Sequence, residues 1–147
     1  MAEILPLPID DFLDEALEHL RHQPNLVITA SPGAGKTTRL PAYLARHSEG
    51  KVLVLEPRRM AAMAAAQRVA EEQSWQLGNE VGFQVRFENQ TREHTKLIFL
   101  TEALLSRKFA QDPQLTGVEY VILDEFHERS VHVDIALGLL RELQDLG

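Results

Sequence analysis

Apolar residues in this chain recur with two different periods, and the two alternate along its length. In residues 9 to 22 (IDDFLDEALEHLRH), Phe12, Leu13, Ala16 and Leu20 fall near one helical face. Acids come early and His19, Arg21 and His22 late, an order that complements the helix dipole, and Pro24 ends the pattern. A short apolar strand is predicted from Asn25 to Ala30, and the following SPGAGKTTRLPAYLARH turns into a helix that Gly50 punctuates. Lys51 to Leu55 predicts a second strand. An alanine-rich helix is expected from Arg58 to about Gln76, broken by Gly78-Asn79.

Val81, Phe83, Val85 and Phe87 alternate with Gly82, Gln84 and Arg86, which predicts a half-buried strand. Another strand spans Lys96 to Leu100, and Thr101 is expected to cap a helix from Glu102 to about Gln111. Tyr120 to Leu123 is short, continuously apolar and partly β-branched, which predicts a strand buried on both faces; a last helix runs from Ser130 to about Leu146. Strands alternate with helices almost throughout. The predicted class is therefore α/β with a mainly parallel sheet, and no repeat or linker marks a domain boundary.

Composition narrows the function classes. The 147 residues are 44% hydrophobic and 25% charged, as in ordinary globular proteins. Cysteine is absent, which excludes a disulfide framework, a thiolate nucleophile and a zinc–thiolate site. The apolar runs are strand-sized and the N-terminus shows no basic region ahead of an apolar core, so a cytoplasmic protein with no membrane span is expected. A formal net charge of −7 weighs mildly against a nucleic-acid partner, although a local groove can be basic on an acidic protein.

Two segments carry chemistry. Ala30-Ser31-Pro32-Gly33-Ala34-Gly35-Lys36-Thr37-Thr38 joins a predicted strand to a helix and fits the phosphate-binding loop G-x-x-x-x-G-K-[ST], with Ala30 where the first glycine is usual. Gly33 and Gly35 let successive N–H groups point at phosphate oxygens, and the helix behind adds its positive end. Lys36 would reach the β- and γ-phosphates of ATP or another NTP, and the Thr37 hydroxyl would ligate Mg²⁺.

The second segment is Asp124-Glu125, directly behind the Tyr120 to Leu123 strand. Strand ends at one edge of an open α/β sheet form the ligand crevice, which places Asp124 as a further ligand of that Mg²⁺. Glu125 would orient or deprotonate the attacking water. Taken alone, the two acids would be a helix N-cap; the phosphate loop elsewhere in the chain is what favours a metal site. His127 and His132 are five residues apart, which misfits the H-E-x-x-H zinc spacing.

Asp124-Glu125-Phe126-His127 is a DExH motif, and the chain resembles the first RecA-like lobe of a DEAH/DExH-box ATP-dependent RNA helicase, in a spelling similar to the bacterial HrpB-like branch. SPGAGKTT resembles helicase motif I, EPRRMAA (56–62) motif Ia, and TEALLSR (101–107) motif Ib. VGFQVRFE (81–88) resembles the segment between the last two. By this resemblance His127 couples the nucleotide site to motifs III and VI, and Arg58, Arg59 and Thr101 grip the phosphates of single-stranded RNA. Arg68 stacks on the nucleotide base.

The plain alternatives are a capping histidine for His127 and a solvated helix start for Arg58 and Arg59. The resemblance also implies that residues 1–147 are one P-loop NTPase lobe, truncated before the motif III strand, whose partner is a second RecA-like lobe. Competing readings are a stand-alone nucleotide-binding switch that unwinds nothing, and a P-loop kinase. A kinase would have no use for motifs Ia and Ib.

Overall fold

A computed structural model describes residues 13–22 and 38–123. The predicted strand at Asn25 to Ala30, the phosphate loop through Thr37, the acids Asp124 and Glu125, His127, His132 and the predicted helix from Ser130 all lie outside the described residues. The elements in chain order are α1 (Leu13–His22), α2 (Arg39–His47), β1 (Lys51–Glu56), α3 (Arg59–Gln73), β2 (Val81–Val85), β3 (Glu88–Gln90), β4 (Leu97–Thr101), α4 (Glu102–Gln111) and β5 (Val118–Leu123). The strands form one five-stranded sheet in the order β3-β2-β4-β1-β5. Every pairing is parallel except the antiparallel β2–β3 pair, so the predicted α/β class with a mainly parallel sheet holds.

Alternation along the strands sorts the core onto two faces, because successive side chains leave a strand on opposite sides. Val52 and Val54 of β1 join Leu97 and Phe99 of β4 and Val81, Phe83 and Val85 of β2 on one face. There they meet Ala62, Ala65, Ala66, Val69 and Ala70 of α3 and Leu44 of α2. The small alanine side chains let α3 lie close to the sheet. On the other face Leu53, Leu55, Ile98 and Leu100 pack on Leu105 and Phe109 of α4 and on Leu115. β1 and β4 are thus covered on both sides, which explains their unbroken apolar runs.

Three local expectations are corrected. β5 is half-buried where burial on both faces was expected: among the described residues it pairs with β1 alone, and Glu119 is exposed at a register shift near its start. The α3 helix ends earlier than Gln76, at Ser74, which takes a left-handed φ of 58° while Trp75 N–H closes back on the Ala70 carbonyl at 2.9 Å. The Trp75 ring lies near Arg46, whose guanidinium carbon is 5.5 Å from the ring centroid.

The third correction concerns Phe87. The strand stops at Val85, and the chain reverses through Arg86 and Phe87 into β3. Phe87 takes a left-handed φ of 69° and is 92% exposed, instead of continuing the inward row. Gly82 belongs to the same device. A Cβ there would stand 1.9 Å from the Gln90 carbonyl oxygen, so the returning β3 strand requires glycine.

Candidate nucleotide and nucleic-acid site

Parallel pairing brings the carboxyl ends of four strands to one edge of the sheet. Glu56 of β1 lies in register with Thr101 of β4, Leu55 with Leu123 of β5, and Gln84 of β2 with Leu100. The loops that leave this edge carry Arg58 and Arg59 after β1, Arg86 and Phe87 after β2, and the start of α4 after β4. Leu123, the last described residue, brings the chain to this same edge.

Arg58, Arg59 and Met60 are exposed at the start of α3. Arg58 sits at the N-cap position in extended backbone without a side-chain cap bond, since an arginine has no acceptor to offer the first-turn N–H groups. Arg59 Nη2 lies 3.9 Å from Glu88 Oε2 across the gap to the β2–β3 turn, an exposed pairing of small worth. Thr101 occupies the N-cap position of α4, as expected, yet its hydroxyl makes no capping bond. The predicted cap is therefore positional only, and Glu102 supplies the acid in the first turn.

Beside these predicted residues stands a group to which sequence reasoning gave no ligand role. Val85, Arg86 and Phe87 face Ala103, Leu104 and Arg107 of α4 across an open cavity of about 330 Å³. The Arg86 guanidinium carbon lies 4.9 Å from the Phe87 ring centroid, so an exposed aromatic face and a cation share one turn. The polar run ENQTRE directly after Phe87 was the available signal that the strand reverses there.

Of the predicted phosphate-loop residues Thr38 alone is described; it is buried at the head of α2, again without a side-chain cap bond. Arg39, only 8% exposed, donates its Nε–H to Glu72 Oε2 of α3 at 3.2 Å. Arg68, one turn before Glu72, donates its own Nε–H to the other carboxylate oxygen at 3.0 Å. Arg68 is therefore an ion-pair partner of Glu72 and is held next to the first turn of α2. Lys36, Thr37, Asp124, Glu125 and His127 are outside the described residues; Thr38 at the head of α2 and Leu123 at the end of β5 are the described residues next to them in the sequence. Among the described residues no cluster of metal-ligating side chains occurs, and no helix is long and apolar enough to cross a membrane.

Comparison with known proteins agrees with this arrangement. The family model for the DEAD/DEAH box helicase matches residues 12–144. The ATP-dependent RNA helicase HrpB of Escherichia coli (strain K12) is 45% identical over 140 residues, which is 94% of this chain and 17% of that protein. The pre-mRNA-splicing factor ATP-dependent RNA helicase DEAH10 of Arabidopsis thaliana is 41% identical over 142 residues, 94% of this chain and 20% of that protein. The crystal structure of the Escherichia coli DEAH/RHA helicase HrpB superposes with a TM-score of 0.89 at 45% identity, covering 95% of this chain and 18% of that one. The chain thus spans about a fifth or less of the relatives it matches, and the likeness covers the mainly parallel sheet and helices of a RecA-like lobe.

Proposed function

The chain belongs to the DEAD/DEAH box helicase family, and from that premise we propose that residues 1–147 form the ATP-binding lobe of an ATP-dependent RNA helicase. In this reading the lobe takes part in coupling Mg-ATP hydrolysis to movement along, or unwinding of, a nucleic-acid strand. The observation that carries the proposal is the single sheet edge. It gathers Arg58, Arg59, Thr101, Arg86 and Phe87 beside the strand end that leads into Asp124-Glu125. A stand-alone nucleotide switch has no use for two exposed arginines and an exposed aromatic at that edge; a strand-gripping motor has.

ATP would be held by the backbone of residues 30 to 38 and by Lys36, with Mg²⁺ on Thr37 and Asp124. The bound metal supplies charge neutralisation between phosphates. Lys36 places a positive charge against the β- and γ-phosphates, and Glu125 orients or takes a proton from the attacking water. His127 links this site to the remaining motifs. Arg68 offers its guanidinium face to the base.

Arg58, Arg59 and Thr101 bind phosphates of single-stranded RNA, and Phe87 with Arg86 offers a stacking surface that is tolerant of base identity. A second RecA-like lobe is the expected partner in closing over nucleotide and strand. No hydrophobic span is assigned, and a cytoplasmic location follows from the same reading.

The test is direct. Titration of a labelled ATP analogue is expected to show Mg²⁺-dependent binding that Lys36→Ala weakens at least ten-fold, because that change removes the main side-chain countercharge in a site otherwise built from backbone dipoles. Equal affinity of the two proteins would reduce the loop to a turn. Turnover by this chain alone is expected to be very slow and indifferent to single-stranded RNA, since the strand contacts come from one side only. RNA-stimulated turnover that disappears in Glu125→Gln would show that the chain does more by itself.

A further inference from the structure

We infer that Glu72 is a positioning residue for the nucleotide base: it holds the Arg68 guanidinium in place, and buried Arg39 in turn holds Glu72. The inference rests on the proposed nucleotide site and names a residue that the motifs leave out. Its starting point is a carboxylate shared by two arginines from two helices. Glu72 Oε2 accepts from Arg39 Nε at 3.2 Å, across 33 positions of sequence, and Oε1 accepts from Arg68 Nε at 3.0 Å.

The burial of the three residues differs in a telling order. Arg39 is 8% exposed, Glu72 17% and Arg68 67%. An exposed Arg–Glu pair one helical turn apart is ordinarily worth a few tenths of a kcal/mol and would leave the arginine mobile. Here the carboxylate is already fixed from the other side by a buried guanidinium. The exposed arginine therefore meets an acceptor that has little freedom left to lose. The Arg68 contact uses Nε, and the side chain as a whole stays at the surface beside its anchored acceptor.

The anchor sits where a nucleotide would make use of it. Arg39 is two residues past Thr37 in the sequence and belongs to the first turn of α2, the helix behind the phosphate loop. A guanidinium tied through one carboxylate to that turn keeps its distance from the phosphate site whether or not the base is present. Such preorganisation raises affinity by removing the ordering cost of the arginine. A clamp that merely joins α2 to α3 would need only the Arg39–Glu72 half of the arrangement.

The experiment compares two ligands on one protein: a labelled ATP analogue, and inorganic tripolyphosphate as a competitor that has phosphates and no base. Arg68→Ala is expected to weaken the nucleotide about five-fold, the size of an exposed cation–π or stacking contact, and to leave tripolyphosphate unchanged. Glu72→Gln is expected to weaken the nucleotide about three-fold, again with tripolyphosphate unchanged. The double variant should be no weaker than Arg68→Ala, because Glu72 acts through Arg68. If Glu72→Gln does not fold, Glu72→Asp keeps the charge facing Arg39, cannot span both arginines, and should show the same selective loss.

Equal loss of nucleotide and tripolyphosphate in the Glu72 variants would make Glu72 an inter-helix clamp and overturn the inference. A selective loss in Arg68→Ala with none in the Glu72 variants would overturn it as well, while the base contact stands. No selective loss in Arg68→Ala would remove the base contact and the inference together; binding that still depends on Lys36 would then leave the proposed function intact.

Discussion

The two edges of the sheet carry similar polar residues and use them in opposite ways. At the amino end of the strands, charged and hydroxyl groups are tied to backbone. Lys51 Nζ donates to the carbonyls of Glu93 and Thr95 at 2.6 and 3.0 Å. The Glu119 carboxylate accepts the N–H groups of Glu49 and Gly50 at 2.9 and 3.0 Å, which offsets the break in the ladder where β5 shifts register. Thr95, fully buried, accepts from Arg92 N–H at 2.8 Å and reaches the Gly78 carbonyl at 3.4 Å. At the carboxyl end, Arg58, Arg59 and Arg86 stand at the surface, and with them stand Met60 and Phe87, the large hydrophobic side chains that are exposed among the described residues. Polar groups bonded to loop backbone build a floor; polar groups exposed at the surface can be reached by a ligand.

The largest expected effect should fall on the floor. Thr95→Val keeps the shape and removes the hydroxyl, leaving the Arg92 N–H without its acceptor, and should cost about 1–3 kcal/mol of stability by chemical denaturation. A change within error would mean that the two edges do not differ in this way. Phe87→Gly should act with opposite signs on two measurements. Binding to a labelled single-stranded RNA should weaken by about 1–3 kcal/mol as the stacking surface disappears. Stability should stay level or rise by up to about 1 kcal/mol, because glycine takes the left-handed conformation without strain. Weaker RNA binding that came with a falling denaturation midpoint would place Phe87 among structural residues instead.

Glu119→Ala should lower stability by about 1 kcal/mol, through two backbone N–H groups returned to water, and should leave RNA affinity untouched. Arg58→Ala and Arg59→Ala should each change stability by less than about 0.5 kcal/mol, while lowering the salt dependence of RNA binding by a slope of about 0.7 for each phosphate no longer neutralised. An unchanged slope would return both arginines to the plain reading of a solvated helix start. The smallest effect should come from Lys108, near the floor at the end of α4. Burial, with Lys51 adding to it, holds its pKa below the ordinary 10.5. The folded state therefore resists charging this group, and its penalty should fade as pH rises toward 10.5. Lys108→Met should raise the melting temperature slightly at neutral pH, with the difference narrowing in alkaline buffer.

Among the described residues the helix and strand order was legible from sequence wherever burial follows a period, and β3, which follows none, was not assigned. β1 and β4 read as continuous apolar runs because helices cover both their faces, and α3 read as a close-packed helix because alanine favours that role. The phosphate-loop residues could be picked out as candidates from sequence too, since phosphate and magnesium chemistry allows few side-chain choices at a strand-to-helix turn. Arg58, Arg59 and Thr101 were singled out by their resemblance to helicase motifs Ia and Ib, and the sheet brings them to one edge.

What only the tertiary structure decided depends on partners distant in sequence. Phe87 continues an inward alternation along the chain, yet the returning β3 strand, pressed against Gly82, turns it outward. Tyr120 to Leu123 has the composition of a strand buried on both faces, but burial is set by what lies beside it, and among the described residues only β1 pairs with it. Arg68 and Glu72 are visible in the sequence as an ordinary pair one turn apart. That the pair is anchored by Arg39, 33 positions from Glu72, could come only from the packing of α2 on α3. A periodic pattern reports which face of an element is buried, and not which residue of another element it meets.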